Sequence, residues 1–317
     1  MSPLAAATRV LVTGGAGFIG SHVVEALLAR NVAVTVLDDF SSGHETNVPD
    51  DPRVRVVRGD AADHDPVADA MDGCTHVVHL AAIASVERSM NDPIGTHRSN
   101  LVATLQVLER CRVVGIERLV YASSAAVYGN AQLPPVTESG PLSPSTPYAI
   151  DKLAGESYLR FYEHTYGVPS IALRFFNVYG PRQVSDSPYS GVISLFMRRA
   201  AEGAAVTIHG DGLQTRDFVY VGDVAATITA CIELEGTPTS TIMNLGSGTP
   251  TNLLELLDAI EDVCGTRVER TFAAPRPGDV RHSVADVTRL RENVRQIPVT
   301  TLMTGLRSLE SVHRRVE

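Results

Sequence analysis

Long hydrophobic runs are missing from this 317-residue chain. No apolar stretch approaches the ~20 residues that a membrane-spanning helix needs, which excludes a membrane-embedded reading. No basic segment followed by an apolar core stands near Arg9, so no secretory leader is expected. Cysteine is scarce: Cys74, Cys111, Cys231 and Cys264 are scattered, with no CxxC pair and no histidine cluster beside them. Buried free thiols in a reducing cytoplasm are expected, and no metal site. Positive charge is also short, with 27 Lys and Arg against 36 Asp and Glu and a net charge of −9. That balance argues against general nucleic-acid binding, while a few local arginines could still hold an anionic small substrate. Internal repeats, low-complexity tracts and flexible linkers are absent. What remains is 44% hydrophobic and long enough to bury a sizeable core, in one large domain or two closely joined ones. A soluble, cytoplasmic protein is expected.

Glycine supplies the first positive signal. Thr13-Gly14-Gly15-Ala16-Gly17-Phe18-Ile19-Gly20 follows Arg9-Val10-Leu11-Val12, an apolar run that predicts a buried strand. It leads into residues 21–30, where Val23, Val24, Leu27 and Leu28 recur at helical spacing. Strand, glycine turn and helix in that order suit a pyrophosphate. No side chain blocks its approach to the backbone, and the helix end offers free N–H groups and the positive end of its dipole. A third small residue lets helix and strand pack closely. Residues 32–37 predict a second strand that ends in Asp38, the acid expected there to hold the adenosine ribose hydroxyls. Its charge favours NAD over NADP, whose 2′-phosphate it would repel.

The first half then alternates strands with helical patterns. Further strands are predicted at Val54–Arg58, residues 76–82, Arg118–Ser124 and Ser170–Phe175, with a helical pattern over 100–108. Such alternation predicts an α/β fold, a Rossmann-type doubly wound parallel sheet. Ligands collect at the carboxyl ends of such strands, so Asp38, Asp60, Ala81, Ser124 and Phe176 should line one crevice. After Asn177 the rhythm changes: helices are predicted at 192–202, Leu253–Cys264 and 303–313, and a strand at Thr241–Leu245. Residues 1–176, with 217–245 returning to them, are expected to form the nucleotide-binding domain. Residues 177–317 are expected to form a smaller cap that contacts a second ligand.

Tyr148-Ala149-Ile150-Asp151-Lys152 places a phenol and an ammonium four residues apart, on one face if the segment is helical. An adjacent cation stabilises a phenolate and makes tyrosine a usable base near neutral pH. Ser124, at the end of the fifth strand, is a candidate proton relay.

Taken together, residues 13–20, Asp60-Ala61, 79–82, 123–129, 148–152, 174–181, Arg216-Asp217-Phe218 and Arg276-Pro277-Gly278-Asp279 give nearly the whole chain a resemblance. It is similar to the extended short-chain dehydrogenase/reductase family and, within it, to the UDP-glucose 4-epimerases. The resemblance implies catalysis by Ser124, Tyr148 and Lys152. It implies NAD held by Gly14, Gly17, Phe18, Ile19, Gly20, Asp38, Asp39, Ser42, Gly43, Asp60, Ala61, Leu80, Ala81, Ala82, Asn100, Tyr148, Lys152 and Phe176. A UDP-sugar would meet Ser124, Asn177, Arg216, Arg276, Asp279 and Ser283, the two arginines gripping its diphosphate from loops over the crevice. The implied reaction takes a proton from the sugar 4-hydroxyl to Tyr148 and a hydride from C4 to NAD. The 4-keto sugar turns over, and the hydride returns to its other face.

Related dehydratases carry Asp-Glu immediately after the catalytic Ser/Thr; here Ala125-Ala126 stand there, which favours epimerisation over elimination. Ser283 is small where relatives vary, leaving room for an N-acetyl group as well as UDP-glucose or a uronate. Other readings are a dehydratase, a uronate epimerase or decarboxylase, a reductase that consumes NAD, and a non-catalytic NAD-binding protein on the same fold. The resemblance also implies a homodimer, formed through the helices at 100–108 and 148–162. Residues 289–299 lack the Leu-Gly-Trp that closes the cap in many relatives.

Overall fold

The computed structural model describes residues 8–183, 191–236, 241–275, 280–295 and 297–313. The first part holds strands β1 (Arg9–Thr13), β2 (Ala33–Asp38), β3 (Val54–Arg58), β4 (His76–His79), β5 (Arg118–Ser124) and β6 (Ser170–Phe175). Between them run helices α1 (Phe18–Leu28), α2 (His64–Ala70), α3 (Val86–Asn91), α4 (Pro93–His97), α5 (Ala103–Val114) and α6 (Pro147–Tyr166). Then come β7 (Asn177–Tyr179), α7 (Val192–Ala201), β8 (Val206–His209), β9 (Thr215–Tyr220), α8 (Val221–Ile232) and β10 (Thr241–Leu245). The last stretch holds β11 (Pro250–Asn252), α9 (Leu253–Cys264), β12 (Arg270–Ala273), β13 (His282–Ser283), α10 (Thr288–Asn293) and α11 (Leu302–His313).

Seven strands make one parallel sheet in the order β10-β6-β5-β4-β1-β2-β3. Alternate side chains divide between its two faces. Val10 and Val12 pack with Val23 and Leu27 of α1 and Ile228 of α8. Leu11 points the other way, among Val67 of α2, Leu108 of α5 and Leu159 of α6. Both faces are thus covered, which is why the strands read as continuous apolar runs. The chain winds from β1 outward to β2 and β3, then crosses back to β4, so the order reverses between β1 and β4. A crevice forms at such a reversal.

Caps fix the helix that matters most. Thr146 accepts the Ala149 N–H at 3.3 Å, Pro147 takes the first turn of α6, and Gly167 ends it in the left-handed conformation. The helix pattern expected over 100–108 is longer in fact: a π-helical turn at Arg98–Val102 leads into α5.

The later strands form a second sheet around β9, paired in parallel with β7 and β13 and antiparallel with β11. β8 and β12 form a separate parallel pair. Their own apolar cluster joins Phe196 of α7, Ile208, Phe218, Leu257 of α9 and Leu306 of α11. Among the described residues, no helix is long and apolar enough to cross a membrane. Cys74, Cys111 and Cys231 are buried and free, and Cys264 is partly buried.

Candidate active site at the carboxyl ends of the strands

The glycine turn between β1 and α1 is tight for identifiable reasons. Gly14 has φ +70°, and a Cβ there would lie 2.9 Å from the Ala81 nitrogen. A Cβ on Gly20 would lie 2.0 Å from the Gly14 carbonyl oxygen, so α1 closes on the turn only without one. Gly17 differs: a Cβ would meet nothing but that same oxygen, at 3.2 Å, and its outer side is open. No side chain caps α1, so no side chain takes up its first N–H groups, beside Phe18 and Ile19.

Asp38 ends β2 and is buried. Its Oδ2 accepts the Ala16 N–H and its Oδ1 the Phe40 N–H, both at 2.9 Å. Burial raises the carboxyl pKa and these two donors pull it back. Asp39 accepts the Ser41 N–H and hydroxyl, Ser42 is exposed, and a Cβ on Gly43 would come within 2.9 Å of Ala16. The His44 N–H and the Asn47 side chain both donate to the Ala16 carbonyl, at 3.1 and 2.9 Å. Asn47 carries no motif that would have singled it out. A bare backbone cradle, an uncapped helix end and a buried acid fit the pyrophosphate and ribose of a dinucleotide.

At the reversal point, the Thr13 hydroxyl accepts the N–H groups of Leu80 and Ala81, both at 3.2 Å. Its own proton therefore points at His79 Nδ1, 2.7 Å away. The Thr104 hydroxyl donates to the Asn100 carbonyl at 2.6 Å and accepts from His79 Nε2 at 3.1 Å. His79 is thereby a neutral imidazole, and burial, helped by the Lys152 charge, holds its pKa down to about 3. These bonds also correct the strand expected over 76–82. It stops at His79 because its partner β1 ends at Thr13: the Leu80 N–H reaches the Thr13 carbonyl and hydroxyl, and the Ala81 N–H is left with the hydroxyl alone.

Asn100 is buried, and its amide accepts the Ile83 N–H at 2.8 Å and donates to the Ile83 carbonyl at 3.2 Å. It holds the loop that carries Leu80, Ala81 and Ala82. Asp60 accepts the Ala62 N–H at 2.8 Å and Arg98 at 3.2 Å, next to the buried Ala61.

Ser124 is the last residue of β5, and its hydroxyl accepts the Ala126 N–H at 3.2 Å. Burial raises the Tyr148 pKa and the nearby Ser124 hydroxyl lowers it. One turn along α6, Lys152 is buried, and its Nζ donates to the Ala122 carbonyl at 2.7 Å. The ammonium stands 4.9 Å from the centre of the Tyr121 ring and 5.9 Å from that of Tyr148. Burial pushes its pKa down to about 8, against the pull of Asp151. Phe176 is buried at the far end of the crevice, its N–H donating to the Leu245 carbonyl at 3.0 Å. Hydroxyl, phenol and ammonium gathered at these strand ends make an acid–base group that can move a proton from an alcohol.

Residues 10–246 match the profile of the NAD dependent epimerase/dehydratase family. The chain belongs to that family. Over 304 residues it is 38% identical to the UDP-glucose 4-epimerase of Mycolicibacterium smegmatis, covering 94% of this chain and 96% of the relative. Among solved structures, it is similar to the UDP-N-acetylglucosamine 4-epimerase from Methanobrevibacter ruminantium M1 in complex with UDP-N-acetylmuramic acid. That match has a TM-score of 0.93 and 34% identity, over 98% and 99% of the two chains. The UDP-glucose 4-epimerase of Thermus thermophilus, in complex with NAD, matches at a TM-score of 0.88 and 40% identity, over 97% and 99%.

In this member of the epimerase/dehydratase family, Asn177 opens β7 and is exposed, opposite Phe218 of β9. Arg216 stands on strand β9, not in the loop expected for it, and Ser283 of β13 is its register partner. Arg276 and Asp279 lie outside the described residues. Next to Arg216, the buried Asp217 carboxylate accepts the Ser247 N–H and hydroxyl, the Gly248 N–H and the Ala285 N–H, at 2.6 to 3.1 Å. It ties β9 to the turn after β10 and to the segment after β13. Its partners are at least 30 residues away, so no local pattern announces the role.

Lys152 carries a signal that spacing alone does not. Of the 27 lysine and arginine residues in the chain, it is the single lysine. Arginine cannot lose its proton in a protein, whereas a buried ammonium shifts readily.

Proposed function

We propose that this family member is a UDP-hexose 4-epimerase that uses NAD, converting UDP-glucose and UDP-galactose into one another. The observation that carries the reading is the buried Lys152 ammonium 5.9 Å from the centre of the Tyr148 ring, with the Ser124 hydroxyl near enough to the phenol to lower its pKa, at the same strand ends as the glycine turn and Asp38. The glycine turn, the first turn of α1, Asp38 and the 80–83 loop would hold NAD. When bound, NAD supplies a hydride acceptor and donor for C4 of the sugar, next to a positive ring that favours a nearby phenolate. Tyr148 takes the proton of the 4-hydroxyl and returns it, Ser124 shares that proton, and Lys152 stabilises the phenolate. Arg216 would grip the diphosphate as a planar fork, together with Arg276. Asp279 would meet the uridine ribose, and Asn177 the sugar.

Ala125 and Ala126, in the short 3₁₀ turn after Ser124, cannot move a proton, which supports epimerisation over elimination. Ser283, paired with Arg216, leaves room for a C2 N-acetyl group, so UDP-N-acetylgalactosamine is also a substrate. The protein works in the cytoplasm as a homodimer. Its apolar Ile150, Tyr158 and Phe161 are 52%, 39% and 46% exposed, at spacings that share one face of α6, and a second copy would cover them.

The test is to incubate the purified protein with UDP-galactose and with UDP-N-acetylgalactosamine separately, without added cofactor, and to resolve the products. The 4-epimer in either reaction is expected, and the ratio of rates reads the Ser283 contribution. A dehydrated keto sugar, or stoichiometric NADH, would overturn the reading.

A further inference from the structure

Asp151 is the residue immediately before Lys152 on α6, and it is buried at 5% exposure. His97, at the end of α4, holds its Oδ1 through Nδ1 at 2.9 Å. Its Oδ2 is enclosed and has no hydrogen-bond partner. A buried carboxylate in this state is costly, so its presence needs a reason. The next residue of the helix, Lys152, supplies one, because its ammonium is enclosed in the same part of the fold. Lys152 is 4% exposed, and among the described residues no carboxylate stands within ion-pair distance of its Nζ. We propose that Asp151 is a positioning residue for the reaction: a buried carboxylate, tethered by His97, that keeps the Lys152 ammonium charged.

The groups around Lys152 leave that task to Asp151. Tyr121 of β5 and Tyr148 of α6 present ring faces, which favour a cation but carry no full charge. His79 of β4 is neutral, locked by Thr13 and Thr104. Glu156, one turn further along α6, is bound by the Arg174 guanidinium through both oxygens, at 2.8 and 2.7 Å, and also accepts the Ser123 hydroxyl. Its charge is already matched. Asp151 has only the bond from His97, a side chain more than half exposed, so its field acts on the lysine largely uncompensated. Burial and Asp151 pull the lysine in opposite directions.

The inference rests on the reading of Lys152 as the cation that stabilises the Tyr148 phenolate, but its test does not. Because the chain has one lysine, protein grown on lysine labelled with ¹³C at Cε gives one side-chain resonance, and its shift against pH reports Lys152 directly. In Asp151→Asn the titration midpoint should fall by on the order of 1 pH unit, and Asp151→Glu should restore it. The alkaline limb of kcat should fall with it, while NAD content and the KM for UDP-galactose hold. A midpoint that stays put in Asp151→Asn would overturn the inference. Should that variant fail to fold, Asp151→Leu, which removes the charge and leaves no unpaired polar atom in the enclosed site, is expected to move the midpoint the same way, and an unmoved midpoint there would equally overturn it. If wild-type protein yields no epimer, the proposed function fails, while the resonance still decides what Asp151 does.

Discussion

Lys152 of α6 and Arg174, which pairs with Glu156 one turn further along that helix, are both buried cations, and the fold treats them in opposite ways. Arg174 of β6 meets Glu156 bidentately, with Ser123 completing the carboxylate and the Tyr128 ring 4.8 Å from the guanidinium carbon. Burial alone would push this guanidinium down, and the bonds to Glu156 more than reverse it. Lys152 has a carbonyl and two aromatic faces, and burial dominates. The neighbouring serines divide likewise: Ser123 donates to Glu156, and the Ser124 hydroxyl acts on the Tyr148 phenol, lowering its pKa. The first group pins α6 to β5 and β6. The second is left poised between charge states, as acid–base chemistry requires. A rigid ion pair four residues from a tunable, unpaired ammonium lets the helix hold its register while its working end titrates.

The largest expected effect lies at the poised end. Tyr148→Phe should lower turnover by ~10³-fold or more, since general acid–base groups contribute on the order of 10²–10⁴, while stability and bound NAD stay as in wild type. Retained turnover would show that the poised group does no chemistry. The anchored end should respond the other way. Glu156→Ala leaves the Arg174 charge buried and unpaired, which costs on the order of 3–5 kcal/mol of stability. Urea unfolding reads that loss, and a loss below ~1 kcal/mol would mean that the pair is not the anchor inferred from its geometry.

This contrast was only partly legible in the sequence. The strands of the central sheet are apolar runs bounded by turns, and β1, β2, β3, β5, β6 and β10 fall within a residue of their expected positions. The placing of Tyr148 and Lys152 one turn apart was legible too, because one helix sets it. The second sheet was not: β7, β11 and β13 have two or three residues each, too few to show a period, and exist through pairing with β9. α8 was missed for a different reason. Ten of its twelve residues are buried, so it has no polar face to reveal a helical repeat. The Thr13–His79–Thr104 chain spans 66 residues in one step, and long-range bonds leave no local trace. Lys152's status as the single lysine, by contrast, was written in the composition.

Removing the poised charge should separate function from stability. Lys152 has a folded-state pKa of about 8 against an ordinary 10.5. Between those values the folded protein binds fewer protons than the unfolded chain, so stability rises as pH climbs through that window. Below pH 8 the buried charge costs the fold ~3 kcal/mol. Lys152→Met should therefore be more stable than wild type at pH 7 by up to that amount, flat in stability between pH 8 and 10, and ~10²-fold slower. Denaturant midpoints at pH 7 and 9.5 measure it. A variant less stable than wild type at pH 7 would place Lys152 with Arg174, as part of the anchor.

The smallest effects should be the most diagnostic, because Ser123 and Ser124 differ by one position and lose the same atom on mutation to alanine. Ser123→Ala removes one of three bonds to a carboxylate that Arg174 still holds by two. It should cost ~1 kcal/mol of stability and leave kcat within about twofold. Ser124→Ala removes the hydroxyl near the Tyr148 phenol and the acceptor of the Ala126 N–H at the half-open start of a short 3₁₀ turn, so it should cost stability by about as much as Ser123→Ala or less. The loss should appear in kcat, about tenfold or more. It should come with a shift of the acidic limb to higher pH, because the Ser124 hydroxyl lowers the Tyr148 pKa and its loss delays phenolate formation. If the two alanine variants lose stability and rate in the same proportion, the division between anchor and poised group fails at its finest point. If they split as expected, alternation along a single strand is what assigns one hydroxyl to the fold and the next to the chemistry.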